Sequence, residues 1–337
     1  MYSTSVSLGN SSLNKFKKDA FSLFSAPLVT QQRTLKKSIS CTGIGLHSGV
    51  KTTITLQPAN VNTGIVFRRI DIVGGGTVIP ALWSNVSDTC FNTCIANTNG
   101  ISVHTTEHLM AALAGMGIDN VVIDINSTEV PIMDGSSAPF TFLIECAGIE
   151  EQLVPRRVLK ILKAIKIQDG NRTAELLPDH GFFLHVEIDF PSELISHQEC
   201  ILDVNSNSFK TEISRARTFG FEQKISDMKA VGLGKGGSLD NAVIISYDGK
   251  KILNEDGLRY DDEFVRHKTI DALGDLSLAG AQILGRFHGV RCGHTMHNRL
   301  LNALFDNQNS WTTVELDAQV KFTKKFYSVR SLEVATS

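Results

Sequence analysis

From Leu258 to Gly280 the chain runs LRYDDEFVRHKTIDALGDLSLAG, a stretch that reads as one helix and around which the rest of the chain has to be organised. Asp261 or Asp262 can cap its start, and the acidic Asp262 and Glu263 suit the positive end of a helix dipole. Gly280 suits its end. Within it His267 and Asp271 are four residues apart, so both side chains leave one face a turn apart, and Asp275 lies one turn further along. A His and a carboxylate stacked in this way can grip a divalent metal and leave coordination positions open. An isolated H-x-x-x-D serves equally well as a surface hydrogen bond, so the metal reading depends on what else the chain supplies.

The total of 337 residues suggests two domains at ~150 residues each. A hydrophobic content of 42% and a charged content of 20% are those of a globular protein with a sizeable core. The net charge of -2 argues against a nucleic-acid coat or a broad membrane-binding face. Cys41, Cys90, Cys94, Cys146, Cys200 and Cys292 are sparse for this length, so free thiols and a reducing compartment are expected rather than a disulfide framework. No window approaches the ~18 apolar residues of a membrane span. Met1 to Gln32 is Ser-rich and carries Lys15, Lys17, Lys18 and Asp19 but no Arg. A transit peptide favours Arg, so a poorly ordered extension on a cytoplasmic protein is expected, with organellar targeting as the other reading.

Residues 1–35 are therefore set aside as the extension, and folded sequence is expected from Lys36. TTITLQP, GIVFRRIDI and TVIPALW read as strands separated by Gly and Asn. Thr105 or Thr106 then caps a helix through EHLMAALAGMG, VVIDI follows as a buried strand, and TFLIECAGI reads as a further helix. Pro155, Arg156 and Arg157 suit a linker, giving a first domain over 36–155. The pattern restarts in a second domain over 156–316, with LKILKAIKIQ, RTAELLP, FFLHVEIDF and ILGRFHGVRC as strands and NRLLNALF as a helix. Residues 317–337 form a polar tail. Strands first and helices later in each half predict an α+β chain rather than a parallel α/β sheet.

His108, beside Glu107 on the first helix, would complete a three-ligand site with His267 and Asp271 if the two helices meet. Glu107 points about 100° round the helix from His108 and could still reach water at the metal as a general base. On its own, the Glu107-His108 pair is an exposed helix turn. His294, in CGHTMHN after a strand, is either a general acid or a solvent-facing turn residue, and His297 is a further candidate ligand. His47 sits in another Gly-flanked turn, while His104, His180, His185, His197 and His288 lie where structural roles are expected. Gly232, Gly234 and Gly237 match G-x-G-x-x-G, but EQKISDMKAV before them is helical or irregular rather than a strand. A loop is expected there, without nicotinamide or flavin.

In order along the chain, GIGLHSG, TTEHLMAAL, EVPIMDGSSAPF, RARTFGF, LRYDDEFVRHKTIDALGDL and GHTMHNRLL resemble the motifs of the bacterial UDP-3-O-acyl-N-acetylglucosamine deacetylases, the zinc enzymes of lipid A synthesis. The likeness runs from Lys36 to Leu316. It implies a two-domain β-α-α-β sandwich, each domain a sheet with two helices, with the active site between the domains. It also implies that the Gly-rich segment after Arg217 lines a passage for the acyl chain. By motif, His108, His267 and Asp271 become the zinc ligands, with ferrous iron as the other candidate metal. Glu107 becomes the general base, His294 the general acid, and Asp275 the group that orients His294. Thr218 helps stabilise the oxyanion, Phe219 lies beside the substrate, and Lys268 meets a phosphate of the UDP group. The pattern departs from the family at His297, where Asn is usual. The activity implied is hydrolysis of the substrate's acetamide by a monomer. The rival readings are another zinc amidohydrolase acting on an N-acetylated sugar and a non-catalytic, metal-stabilised binding protein.

Overall fold

The computed structural model describes residues 29–316. The first half opens with β1 (Gln31–Leu35), β2 (Ile39–Ile44), β3 (Lys51–Pro58), β4 (Ile65–Arg69) and β5 (Val78–Pro80). Short strands β6 (Val86–Asp88), β7 (Cys94–Ala96) and β8 (Ser102–Val103) follow, then helix α1 (Glu107–Met116), β9 (Val121–Ile125) and helix α2 (Ala138–Ala147). Its main sheet has the order β2-β3-β9-β4-β5, with β4 and β9 parallel. Thr52, Ile54 and Leu56 alternate inward on β3, the period of a half-buried strand.

The second half contains β10 (Ile149–Ile161), β11 (Ile165–Asp169), β12 (Arg172–Leu177), β13 (Phe182–Asp189), β14 (His197–Asp203), β15 (Phe219–Phe221) and helix α3 (Glu222–Ala230). It continues through β16 (Val243–Ile245), helix α4 (Glu263–Ser277), β17 (Gln282–Val290), helix α5 (His294–Asp306) and β18 (Trp311–Leu316). Its sheet is centred on β17, which runs parallel to β10 and β13 and antiparallel to β12. Helices α1 and α2 pack together on the side of the first sheet, α4 and α5 lie on the second sheet, and α1 lies against α4. The layers are sheet, helices, helices, sheet, as the resemblance implies for an α+β chain.

Helix α1 is apolar on nearly every side, and of its ten residues only Ala114 is not buried. A helix of that composition belongs in the middle of a core. Its small residues allow close approach. A Cβ on Gly274 of α4 would overlap the carbonyl oxygen of Glu107, and a Cβ on Gly115 would overlap the Phe209 ring. The two helices touch backbone to backbone at the residue that begins α1.

Several expectations need correction. Folded structure starts before Lys36, because Gln31–Leu35 pairs with β10; the rest of the expected extension, up to residue 28, and the tail from 317 lie outside the described residues. The expected linker at Arg156 and Arg157 is continuous strand. Arg156 is buried there, with Nε 2.7 Å from Asp119 Oδ1 and Nη1 2.7 Å from Gln282 Oε1. A buried guanidinium bonded to Asp119 on one side and Gln282 on the other ties the two halves rather than separating them. The long helix occupies Glu263–Ser277, and Asp262 at its start ion-pairs with Arg266 instead of capping. Thr106 stands at the start of α1 but donates its hydroxyl to the Thr93 carbonyl at 3.0 Å, so it ties two loops together rather than capping. His294 is the first residue of α5, with Gly293 before it, rather than part of a turn.

The close contact predicts that Gly274→Ala, which is harmless to helix propensity, pushes α4 off α1 and lowers stability by roughly 1–3 kcal/mol. Chemical denaturation measures the loss; an unchanged midpoint would contradict the backbone contact.

Candidate active site

The sequence segments that carry ionisable groups converge where α1 meets α4. His108 Nε2 lies 3.6 Å and His267 Nε2 lies 3.4 Å from Asp271 Oδ1, and all three residues are buried. The two rings stand edge to face, 85° apart. His267 Nδ1 donates to the Ala216 carbonyl at 3.1 Å, which leaves Nε2 with its lone pair turned to the cluster. Burial holds the imidazole neutral, with a pKa of about 3, despite the neighbouring Asp271 carboxylate.

Asp271 is the most telling member. Burial alone would raise its pKa, but the Lys268 ammonium beside it holds it well below the ordinary carboxylate range. Its Oδ2 accepts from Lys268 Nζ at 2.8 Å, while its buried Oδ1 has no hydrogen-bond partner. An ionised oxygen without a donor costs several kcal/mol in a protein interior unless something cationic answers it. Two imidazole nitrogens and one orphaned carboxylate oxygen within 4.8 Å of one another fit a divalent cation of the zinc class.

Beside this cluster, Glu107 is almost completely buried and accepts from the Thr93 backbone N–H at 3.1 Å. Burial raises its pKa above 4.5, against the pull of His294 and His108. Thr93 also donates its hydroxyl to Asp275 Oδ1 at 2.5 Å. Asp275 Oδ2 accepts from two imidazoles, His294 Nδ1 at 2.8 Å and His297 Nδ1 at 2.7 Å. Burial opposes protonation of His294, but the charge of Asp275 and its hydrogen bond outweigh burial and lift the pKa from 6.5 to about 9. Glu107 is thus displaced upward as an acid and His294 upward as a cation, in one small volume.

The flanking residues come from the loop around β15. Arg217 is buried against the wholly buried Glu263 at the start of α4, with Nε 2.9 Å from Oε1, and the Arg217 backbone N–H donates to the same oxygen at 2.8 Å. That pair anchors the next two residues. Thr218 is held by its backbone, donating to the Gly135 carbonyl and accepting from Val243. The Phe219 ring stands edge to face with His267 at 6.3 Å, and Lys268 Nζ lies 5.5 Å above the same ring. In this structure Lys268 is committed to Asp271 rather than turned away from it. His297 is no member of the His108-His267-Asp271 cluster; it joins Asp275 and His294. Thr93 was not found from sequence. It lies 14 residues before Glu107 in a loop with no motif of its own, and only the fold shows that it touches both carboxylates.

The G-x-G-x-x-G segment follows helix α3, not a strand, and packs on the turn near His47, where the Gly236 N–H donates to the Leu46 carbonyl at 3.0 Å. All six cysteines are free. No helix among the described residues is long and apolar enough to cross a membrane. A cavity of about 310 Å³ is lined by Met110, Leu113, Leu276 and Arg156 toward the far ends of α1 and α4 and includes none of the cluster residues.

Comparison with known proteins gives a consistent result. A family model described as UDP-3-O-acyl N-acetylglycosamine deacetylase matches residues 32–306. A UDP-3-O-acyl-N-acetylglucosamine deacetylase of Pseudoalteromonas atlantica is 49% identical over 300 residues, covering 88% of this chain and 98% of its own length. Proteins of the same name from Shewanella oneidensis (47% over 298 residues, 87% of this chain and 96% of theirs) and Idiomarina loihiensis (48% over 291 residues, 86% and 94%) are similar to it too.

A raised His294 value stabilises the fold fully below pH 6.5, and that contribution is lost as pH rises through about 9. Removing a competing donor should leave more of the Asp275 charge to His294. NMR titration of the imidazole in His297→Ala is therefore expected to place its midpoint above the wild-type value; an unchanged or lower midpoint would contradict a shared carboxylate.

Proposed function

The chain belongs to the UDP-3-O-acyl N-acetylglycosamine deacetylase family, and from that premise we propose that it hydrolyses the acetamide of UDP-3-O-acyl-N-acetylglucosamine. The products are the free amine and acetate, and the reaction serves lipid A biosynthesis. The observation that carries the reading at this site is the orphaned Asp271 Oδ1 facing two imidazole nitrogens beside buried Glu107.

In this proposal His108, His267 and Asp271 hold zinc, with ferrous iron as the alternative. When bound, the ion supplies Lewis acidity, which polarises an acyl oxygen and acidifies water. Glu107 takes the proton of the attacking water. Its burial supports that role, because a carboxyl with a raised pKa is a stronger base than an exposed one. His294 enters the reaction as a cation, offsets charge on the acyl oxygen, and gives its proton to the departing nitrogen. Asp275 fixes which nitrogen of His294 carries the shared proton and leaves Nε2 for the substrate. Thr218 is assigned to the acyl oxygen and Phe219 to the substrate's flank. Lys268 is assigned to a UDP phosphate, which would draw it from Asp271 and leave that carboxylate to the cation.

We further assign two domains, the first ending with α2 and the second beginning with β10, that supply Glu107 and His108 from one side and the remaining groups from the other. The free thiols suit a reducing compartment and so support a cytoplasmic enzyme. The direct test is acetate release from UDP-3-O-acyl-N-acetylglucosamine by purified protein, before and after metal is stripped and restored. Absence of release by metal-loaded protein would reject the reading. An equal rate with substrate lacking the acyl chain would point to a broader amidohydrolase.

Glu107→Gln is expected to keep its metal and lose ~10²–10⁴ in turnover. The wild-type rate should fall on the acid side as Glu107 gains a proton, and on the alkaline side near pH 9 as His294 loses one. A pH–rate profile without the alkaline limb would remove His294 from the acid role. Lys268→Ala should raise KM for the UDP substrate by roughly tenfold, the worth of ~1.4 kcal/mol; steady-state kinetics with an unchanged KM would withdraw the phosphate assignment.

A further inference from the structure

On the other face of the second sheet stands a group of imidazoles and carboxylates that the hydrolytic reading does not use. His185 and Glu187 alternate outward on β13, while Leu184, Val186 and Ile188 point inward and are buried. In the pairing of β13 with β17, His185 sits opposite His288, and in that of β13 with β14, Glu187 sits opposite Glu199. The period of two thus delivers His185, Glu187, Glu199 and His288 to one patch of the outer surface.

The patch is drawn together rather than dispersed. The His185 and His288 rings stack with centroids 4.2 Å apart and planes 18° from parallel. Glu187 Oε1 is 2.8 Å from His288 Nε2 and 3.6 Å from His185 Nε2. Glu199 Oε1 is 2.8 Å from His185 Nε2, and His197 stands at the edge with Nε2 3.9 Å from Glu187 Oε2. Donors on one tetrahedral ion stand about 3.3–3.6 Å apart when metal–donor bonds are ~2.0–2.2 Å. The ligand atoms of His185, Glu187 and His288 all lie within 4.8 Å of one another, so small side-chain shifts bring these three to that requirement.

We propose that His185, Glu187 and His288 form a second divalent-metal site on the outer face of the sheet, of the imidazole-carboxylate type that takes zinc, nickel or copper, with Glu199 as its fourth ligand. Two carboxylates balance the charge of the ion, and the stacked imidazoles supply the borderline donors that such metals prefer. Burial and the neighbouring His288 hold His185 toward its neutral form, the form that ligates. The ion replaces the proton now shared between His288 Nε2 and Glu187 Oε1, and it answers His185 Nε2, which is buried and makes no hydrogen bond. Because the ligands come from β13, β14 and β17, the ion clasps three strands and stabilises the sheet by linkage. The sheet itself separates this site from the cluster on α4.

The test is a zinc titration of holoenzyme whose first equivalent is already bound, read by calorimetry and by thermal melting. Wild-type protein should take up one further equivalent and melt at higher temperature. The double variant His185→Gln/His288→Gln should bind that equivalent at least ~100-fold more weakly, lose the melting shift, and keep its deacetylase activity. Glu187→Gln, which keeps both rings, should weaken the same equivalent. The proposal is overturned if the further equivalent persists in the double variant, which would place it at Asp275, His294 and His297. It is equally overturned if wild-type holoenzyme takes up no further zinc below millimolar concentration.

Discussion

Backbone contact between α1 and α4, at Gly274 against the Glu107 carbonyl, is the constraint on which the rest of the structure depends. Each helix carries only part of the ionisable set. At ordinary helix spacing of 8–10 Å, two surfaces with side chains between them would hold His108 away from His267 and Asp271. Removing the side chain at position 274 lets the start of α1 descend onto α4. The same approach places Glu107 in the interior, where its carboxyl is raised by lost solvation. Packing and proton affinity therefore come from one contact.

Burying so many charges requires an ordered network of partners. Asp271 is answered on one oxygen by Lys268 and left open on the other. Asp275 is answered by Thr93, His294 and His297 together. Glu263, at the start of the same helix, is neutralised by Arg217. Among the carboxylates of this helix face, the orphaned oxygen stands out because Asp275 and Glu263 have their donors. That contrast gives the cation reading its physical force: an interior that satisfies Asp275 and Glu263 so fully is unlike one that leaves Asp271 Oδ1 bare by neglect. The shared Asp275 carries two imidazoles on one oxygen, His294 and His297.

What lay open in the sequence was local. The stacking of His267, Asp271 and Asp275 along one helix face follows from 3.6 residues per turn, whereas Glu107 and His108, which alone read as an exposed helix turn, are buried by the contact with α4. Strand alternation along β3 and β13 was equally readable. The ordered motifs supplied the family and, through it, the layered fold. Ends and connections are set by distant partners instead. Arg156 and Arg157 looked like a linker because charge after proline suits a loop, yet Asp119 and Gln282, distant in sequence, turn Arg156 inward. Thr106 looked like a cap because its position is right, but the Thr93 carbonyl competes for its hydroxyl.

The sequence by itself determined which side chains share a helix face or a strand face, because those periods are properties of the backbone alone. Only the tertiary structure decided which faces meet. Thr93 reaching two carboxylates, His297 sharing Asp275 with His294, and His185 standing beside His288 all join residues from separate elements. Such neighbours are chosen by the packing of whole layers, where a glycine in one helix and a carbonyl in another set the distance, and no local period encodes that choice.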